Sequence, residues 1–83
     1  MLSDSADIGM GAAIHESANV WHLAEIREGA CLEAGVVVGR GAYIGSGVRI
    51  CENSKIQNFA MVYEPAVIGA GVFIGPGAVL TND

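Results

Sequence analysis

Counted in sixes from Ile8, every stop is aliphatic: Ile8, Ile14, Val20, Ile26, Leu32, Val38, Ile44, Ile50, Ile56, Val62, Ile68, Ile74 and Leu80. Ile, Leu and Val supply only 21 of the 83 residues, so chance would give such a run with a probability on the order of one in 10⁸. Neither a helix nor an ordinary hairpin sheet repeats at six. The remaining phases agree. Four residues after the aliphatics come small or β-branched residues: Ala12, Ala18, Ala24, Ala30, Val36, Ala42, Val48, Ser54, Ala60, Ala66, Val72 and Ala78. All 12 glycines fall either one or three residues after an aliphatic. The later phase, which includes Gly41, Gly77 and also Asn53, suits a backbone turning through positive φ.

Each hexad therefore predicts a short strand and a turn. Three hexads close into a triangular coil of 18 residues, and stacked coils make a parallel β-helix. Residues 8–79 supply twelve hexads, or four coils, roughly 20 Å tall at about 4.8 Å per coil. Ile, Val and Leu ladders would line the interior, with Ala at the corners. The domain organisation predicted is a lead-in over residues 1–7 and a β-helix over 8–83. Periodicity alone leaves the hand of the coil open, and the usual crossover preference is right-handed.

Composition narrows the function classes. A hydrophobic fraction of 52% excludes a disordered tail. No apolar run approaches the roughly 20 residues of a membrane helix. A net charge of −5 with four basic residues argues against a nucleic-acid surface. The polar, acidic stretch Met1 to Asp7 does not read as a secretory signal. The expected location is cytoplasmic, with Cys31 and Cys51 reduced.

The hexads Ile44-Gly45-Ser46-Gly47-Val48-Arg49 and Ile74-Gly75-Pro76-Gly77-Ala78-Val79 resemble those of the hexapeptide-repeat acyltransferases. Three further segments narrow the resemblance: Val20-Trp21-His22; Lys55 to Asn58 with Val62-Tyr63-Glu64; and Val72 to Pro76 running to Thr81-Asn82-Asp83. Together they are similar to enzymes that N-acetylate nucleotide-linked amino sugars, including UDP-diaminoglucuronate acetyltransferases of surface-polysaccharide pathways. The resemblance implies an all-β left-handed β-helix and a homotrimer, with acetyl-CoA as donor in a cleft between subunits and no metal. It implies Asn58 as the catalytic residue and substrate contacts from His22, Gln57, Tyr63, Glu64, Asn82 and Asp83. It implies donor contacts from Gly75, Pro76 and Gly77. Two departures stand out. The family pattern has a second Asn where this chain has Phe59, and relatives continue beyond Thr81-Asn82-Asp83, which suggests an incomplete chain.

The residues add their own argument. Side chains 18 apart stack in columns, one of which is His22, Arg40, Asn58 and Pro76, and another Met10, Glu28, Ser46, Glu64 and Asn82. Ser17, Leu23, Phe59 and Pro65 break the Gly or Asn rule at the turn, and such breaks gather at functional or contact surfaces. The stretch Gln57 to Pro65, with Asn82 and Asp83 one coil above Glu64, is the candidate cleft. Leu23 and Phe59 equally suit a trimer contact. Asn58 offers an amide donor to a developing oxyanion, or satisfies its own turn. Gln57 and Tyr63 point outward, towards sugar hydroxyls or plain solvent. Glu64 and Asp83 can orient an ammonium group or accept its proton. His22 has the side chain of a general base, but it stands two coils, about 10 Å, from Asn58, which favours a contact role. His15, beside Glu16, reads as solvated.

Two other classes compete. A catalytic zinc site needs three protein ligands, and only His15 and His22 exist, on different faces. A non-catalytic trimeric β-helix, or a fragment that has lost activity, remains open because fold does not fix function. No outward Thr column supports an ice-binding array.

Overall fold

The two residues at and immediately before each aliphatic form a strand, and the next four turn the corner. The structure, a computed structural model, describes residues 1–81. The first coil holds β1 (Asp7–Ile8), β2 (Ala13–Ile14) and β3 (Asn19–Val20). The second holds β4 (Glu25–Ile26), β5 (Cys31–Leu32) and β6 (Val37–Val38), and the third β7 (Tyr43–Ile44), β8 (Arg49–Ile50) and β9 (Lys55–Ile56). The fourth holds β10 (Met61–Val62), β11 (Val67–Ile68) and β12 (Phe73–Ile74), and β13 (Val79–Leu80) starts another turn. Every third strand pairs in parallel, giving faces β1-β4-β7-β10-β13, β2-β5-β8-β11 and β3-β6-β9-β12. The register is 18 throughout, as in Val20↔Val38 and Val38↔Ile56. The protein is thus an all-β parallel solenoid of about four turns. It agrees with the left-handed β-helix implied by the resemblance. Among the described residues no helix is long and apolar enough to cross a membrane.

Strand alternation puts the aliphatic inward and its predecessor outward. Ile26, Leu32, Ile44, Ile50 and Ile56 are fully buried, and Ala18, Ala24, Ala30, Ala42 and Ala60 fill the corners beside them. Truncating one of these five large side chains to Ala costs about 2–5 kcal/mol, because a rigid coil collapses poorly into the cavity. All but one of the described corners close when the residue four after the aliphatic donates its N–H to the carbonyl of the residue one after the aliphatic, as Ala42 does to Gly39 at 3.2 Å. The N–H between them reaches down a coil, as Phe59 does to the Arg40 carbonyl at 2.8 Å.

The third turn residue has positive φ at seven glycines and also at Leu23, Asn53 and Phe59, each near 61°. Leu23 and Phe59 therefore break the composition rule while keeping the backbone rule. Ser17 departs from it, and its hydroxyl accepts the Gly35 N–H at 2.9 Å, a task that carbonyls perform at most of the other turns. Gly41 meets two demands. Its φ is 66°, and the Phe59 ring lies where its Cβ would be, 2.5 Å from the nearest ring carbon.

The lead-in takes part in the coil. Leu2 bridges Val20 in parallel, and the Met1 ammonium donates to the Ala18 carbonyl at 2.7 Å and to Asn19 Oδ1 at 3.1 Å.

Candidate functional site

The corner following the β3-β6-β9-β12 face carries the column Trp21, Gly39, Gln57, Gly75 and, beside it, His22, Arg40, Asn58, Pro76. Gly39 is the reason a notch exists there. It is buried, and an added Cβ would lie 2.5 Å from Asn58 Oδ1 and 2.7 Å from the Asn58 nitrogen. With no side chain at the middle level, the surface dips between Trp21 below and Gln57 above. The notch measures about 400 Å³ and is lined by Trp21, His22, Val37, Gly39, Arg40, Ile56, Gln57 and Asn58.

Asn58 is held by the coil beneath it. Its Oδ1 accepts the Arg40 backbone N–H at 2.9 Å, which fixes which end of the amide is oxygen, because the partner can only donate. Its Nδ2 has no protein partner among the described residues and remains a donor. Asn58 therefore does cap backbone, but that of Arg40 rather than of its own turn, and keeps a free donor edge.

His22 is anchored from the lead-in. Its Nδ1 lies 2.5 Å from Ser5 Oγ, which also accepts the Leu23 N–H at 3.0 Å and sits 3.1 Å from Ser3 Oγ. Ser5 thus engages one ring nitrogen and leaves Nε2 without a partner among the described residues. Composition gave no reason to link Ser5 to the site. The signal was present in the repeat, because Leu2 stands six residues before Ile8 and continues the inward ladder.

Charge is distributed unevenly around the corners. Arg27 bonds Glu28 at 2.9 Å and Asp7 at 3.0 Å, with Glu25 at 3.6 Å. Those bonds, Glu28 first, push the guanidinium pKa up and hold the Glu28 carboxyl below its ordinary value. Arg49 bonds Glu33 at 2.5 Å, which raises Arg49 and lowers Glu33, the latter also helped by Glu52. Arg40 and Lys55 have no ion pair among the described residues, and of these only Arg40 lines the notch.

The other sequence-predicted residues lie apart from this corner. Tyr63 and Glu64 occupy the next corner of the same coil, where the Tyr63 ring meets Tyr43 at 5.3 Å between centroids, tilted by 44°. Gly75, Pro76 and Gly77 continue the Trp21, His22 and Leu23 columns into the top coil, and a Cβ at either glycine would meet nothing within 4 Å. Asn82 and Asp83 lie outside the described residues. The structure brings His22, Gln57 and Asn58 together in one notch, while the stretch Gln57 to Pro65 spans two corners. His15 is more than a solvated side chain. Its Nδ1 lies 3.0 Å from the Ser17 N–H donor and 2.8 Å from the Ser17 hydroxyl. It also lines a second, acidic notch of about 620 Å³ with Cys31, Glu33 and Glu52. Among the described residues no three His, Cys, Asp or Glu side chains converge to hold a metal ion.

Residues 47–82 match the family model described as bacterial transferase hexapeptide (six repeats). That segment covers the upper coils, including Gln57, Asn58, Tyr63 and Glu64, and is similar to the repeats of the hexapeptide transferases. A comparison with curated proteins returned no match.

Proposed function

We propose that this protein is an acyltransferase that moves an acetyl group from acetyl-CoA to the amino group of a nucleotide-linked amino sugar. The observation that carries the reading is the free Nδ2 edge of Asn58 in a notch of a hexapeptide coil whose upper part matches the transferase repeat. An amide donor held rigidly by its other end is preorganised for charge that develops on an acyl oxygen. The neutral amine attacks the thioester carbon, Asn58 donates to the carbonyl oxygen as it becomes anionic, and collapse expels the thiolate. The proton shed by the nitrogen passes to solvent. Gln57 and the Trp21 ring suit the hydroxyls and apolar face of a sugar. The donor would lie along the Gly75-Pro76-Gly77 turn.

A homotrimer belongs to the same reading. Leu23 and Phe59 are 52% and 55% exposed and flank the notch corner, where a neighbouring subunit would cover them. Those two residues also support a second reading, a trimeric β-helix without catalysis. Calorimetry with acetyl-CoA, beside sedimentation of the same sample, separates them. Saturable binding by a trimer supports the transferase, whereas a folded trimer that binds no acetyl-CoA and acetylates no amino sugar favours the structural module.

A further inference from the structure

In a chain of net charge −5, one guanidinium with no ion pair among the described residues sits in a notch with no carboxylate in its wall. Of the four basic side chains, Arg27 and Arg49 are bound to acidic neighbours. Lys55 is unpaired among the described residues but does not line the notch. Arg40 is the middle member of the His22-Arg40-Asn58 column, level with the dip that Gly39 creates. Around it the polar wall is rich in donors. Trp Nε1 and the guanidinium can only donate, and the Asn58 oxygen is already spent on the Arg40 N–H, leaving Nδ2. Gln57 adds an amide with two donors and an acceptor oxygen, and His22 an imidazole that can either donate or accept. A concave surface with a free cation, several donors and no competing carboxylate selects an anion. The indole beside it, half-exposed, offers a flat apolar face to a ring carried by the same ligand.

We infer that this notch is an anion subsite, with Arg40 the specificity-determining residue that holds a carboxylate or phosphate of the acetyl acceptor while its ring lies on Trp21. The assignment deepens the acceptor side of the proposed function and rests on it for its place in a reaction. The anion contact itself is readable without catalysis. Arg40 can be changed cleanly, because Asn58 is held by its backbone N–H and not by its side chain.

The chain has one Trp, at position 21, so its fluorescence reports directly on the notch. The test is a titration of the 83-residue chain with inorganic phosphate, UDP, glucuronate and coenzyme A. Wild type, Arg40→Gln and Lys55→Gln are compared, with acetyl-CoA binding followed separately by calorimetry. The expected result is a saturable, salt-weakened change with UDP or glucuronate, roughly tenfold weaker in Arg40→Gln and unchanged in Lys55→Gln. UDP and phosphate without glucuronate identifies a phosphate, and the converse a carboxylate. Equal affinity in Arg40→Gln, no saturable change with any probe, or Arg40 dependence for coenzyme A alone overturns the inference. Acetyl-CoA binding that persists in that event leaves the transferase reading intact. Arg40-dependent acceptor-type binding without any acetyl-CoA binding has the opposite meaning, because the subsite then survives and the transferase reading fails.

Discussion

Asn58 Oδ1 accepts the Arg40 backbone N–H at 2.9 Å across one coil of the solenoid. The two residues share a column, so the contact ties down the amide oxygen and leaves the nitrogen without a protein partner among the described residues. Substitutions can therefore separate its two ends. Asn58→Asp keeps an oxygen for the Arg40 N–H and loses the donor. Asn58→Ala loses both, leaves that N–H short of an acceptor and costs about 1–2 kcal/mol. The expected pattern is acetyl transfer abolished in both variants, with urea stability near wild type only in Asn58→Asp. Full transfer by Asn58→Asp would remove the oxyanion role.

Leu23 holds φ at 61° while half its surface faces solvent. Left-handed backbone costs a branched, non-glycine residue roughly 1–2 kcal/mol, and an exposed leucine recovers little of that within the protomer. Asn tolerates this region better. Leu23→Asn is expected to stabilise the isolated protomer by about 1 kcal/mol, near 4–8 °C in Tm for a chain of this size, and to weaken self-association. A protomer destabilised by the change would show that Leu23 earns its place through contacts inside one chain.

The inward ladder, the corner alanines and most positive-φ turns were legible because each follows from one periodicity. Residue type fixes those positions, since only small or aliphatic side chains fit inside and glycine turns most easily. Leu23 and Phe59 were recognisable as exceptions, but their backbone was not, because the coil imposes a φ that side-chain identity argues against. The notch was less legible still. It arises from Gly39, a glycine in the non-turn phase, whose importance lies in what sits above it. The pairing of Arg27 and Arg49, which leaves Arg40 free, depends on side-chain reach across coils rather than on hexad phase.

Ser54 is the buried polar exception in the corner ladder. Its hydroxyl donates to the Gly69 carbonyl at 2.6 Å and accepts the Val72 N–H at 3.0 Å. Elsewhere that N–H and carbonyl bond directly, as Ala66 and Tyr63 do at 3.2 Å. Ser54 thus splices into the turn above it. Ser54→Ala should cost about 1–2 kcal/mol in chemical denaturation by leaving both backbone groups short of a partner. Unchanged stability would mean that this corner closes directly like the others.

Ser5 joins the lead-in to His22 through a 2.5 Å contact to Nδ1. Ser5→Ala should release the imidazole from a single preferred orientation. Nitrogen NMR of the His22 ring reads the tautomer mixture directly, a signature that a purely structural loss at the Leu23 N–H would not alter. Ring nitrogen shifts that stay at their wild-type positions would mean that Ser5 caps Leu23 and nothing more.

Acid should weaken the coil through Glu28 and Glu33. Hydrogen bonds from Arg27 and Arg49 respectively hold these carboxyls below their ordinary value of 4.5. As pH falls, the unfolded chain takes up those protons first. The contribution is therefore complete above 4.5 and disappears as pH drops through the lower folded values. Relief of repulsion among the nine acidic residues acts in the opposite direction over the same range, so wild type alone is a poor reporter. The informative quantity is the difference in urea midpoint between wild type and a Glu28→Gln, Glu33→Gln double variant. That difference should be constant near neutrality and shrink towards zero on acidification below 4.5. A gap that widens in acid would reverse the sign and show that these ion pairs do not hold the carboxylates charged.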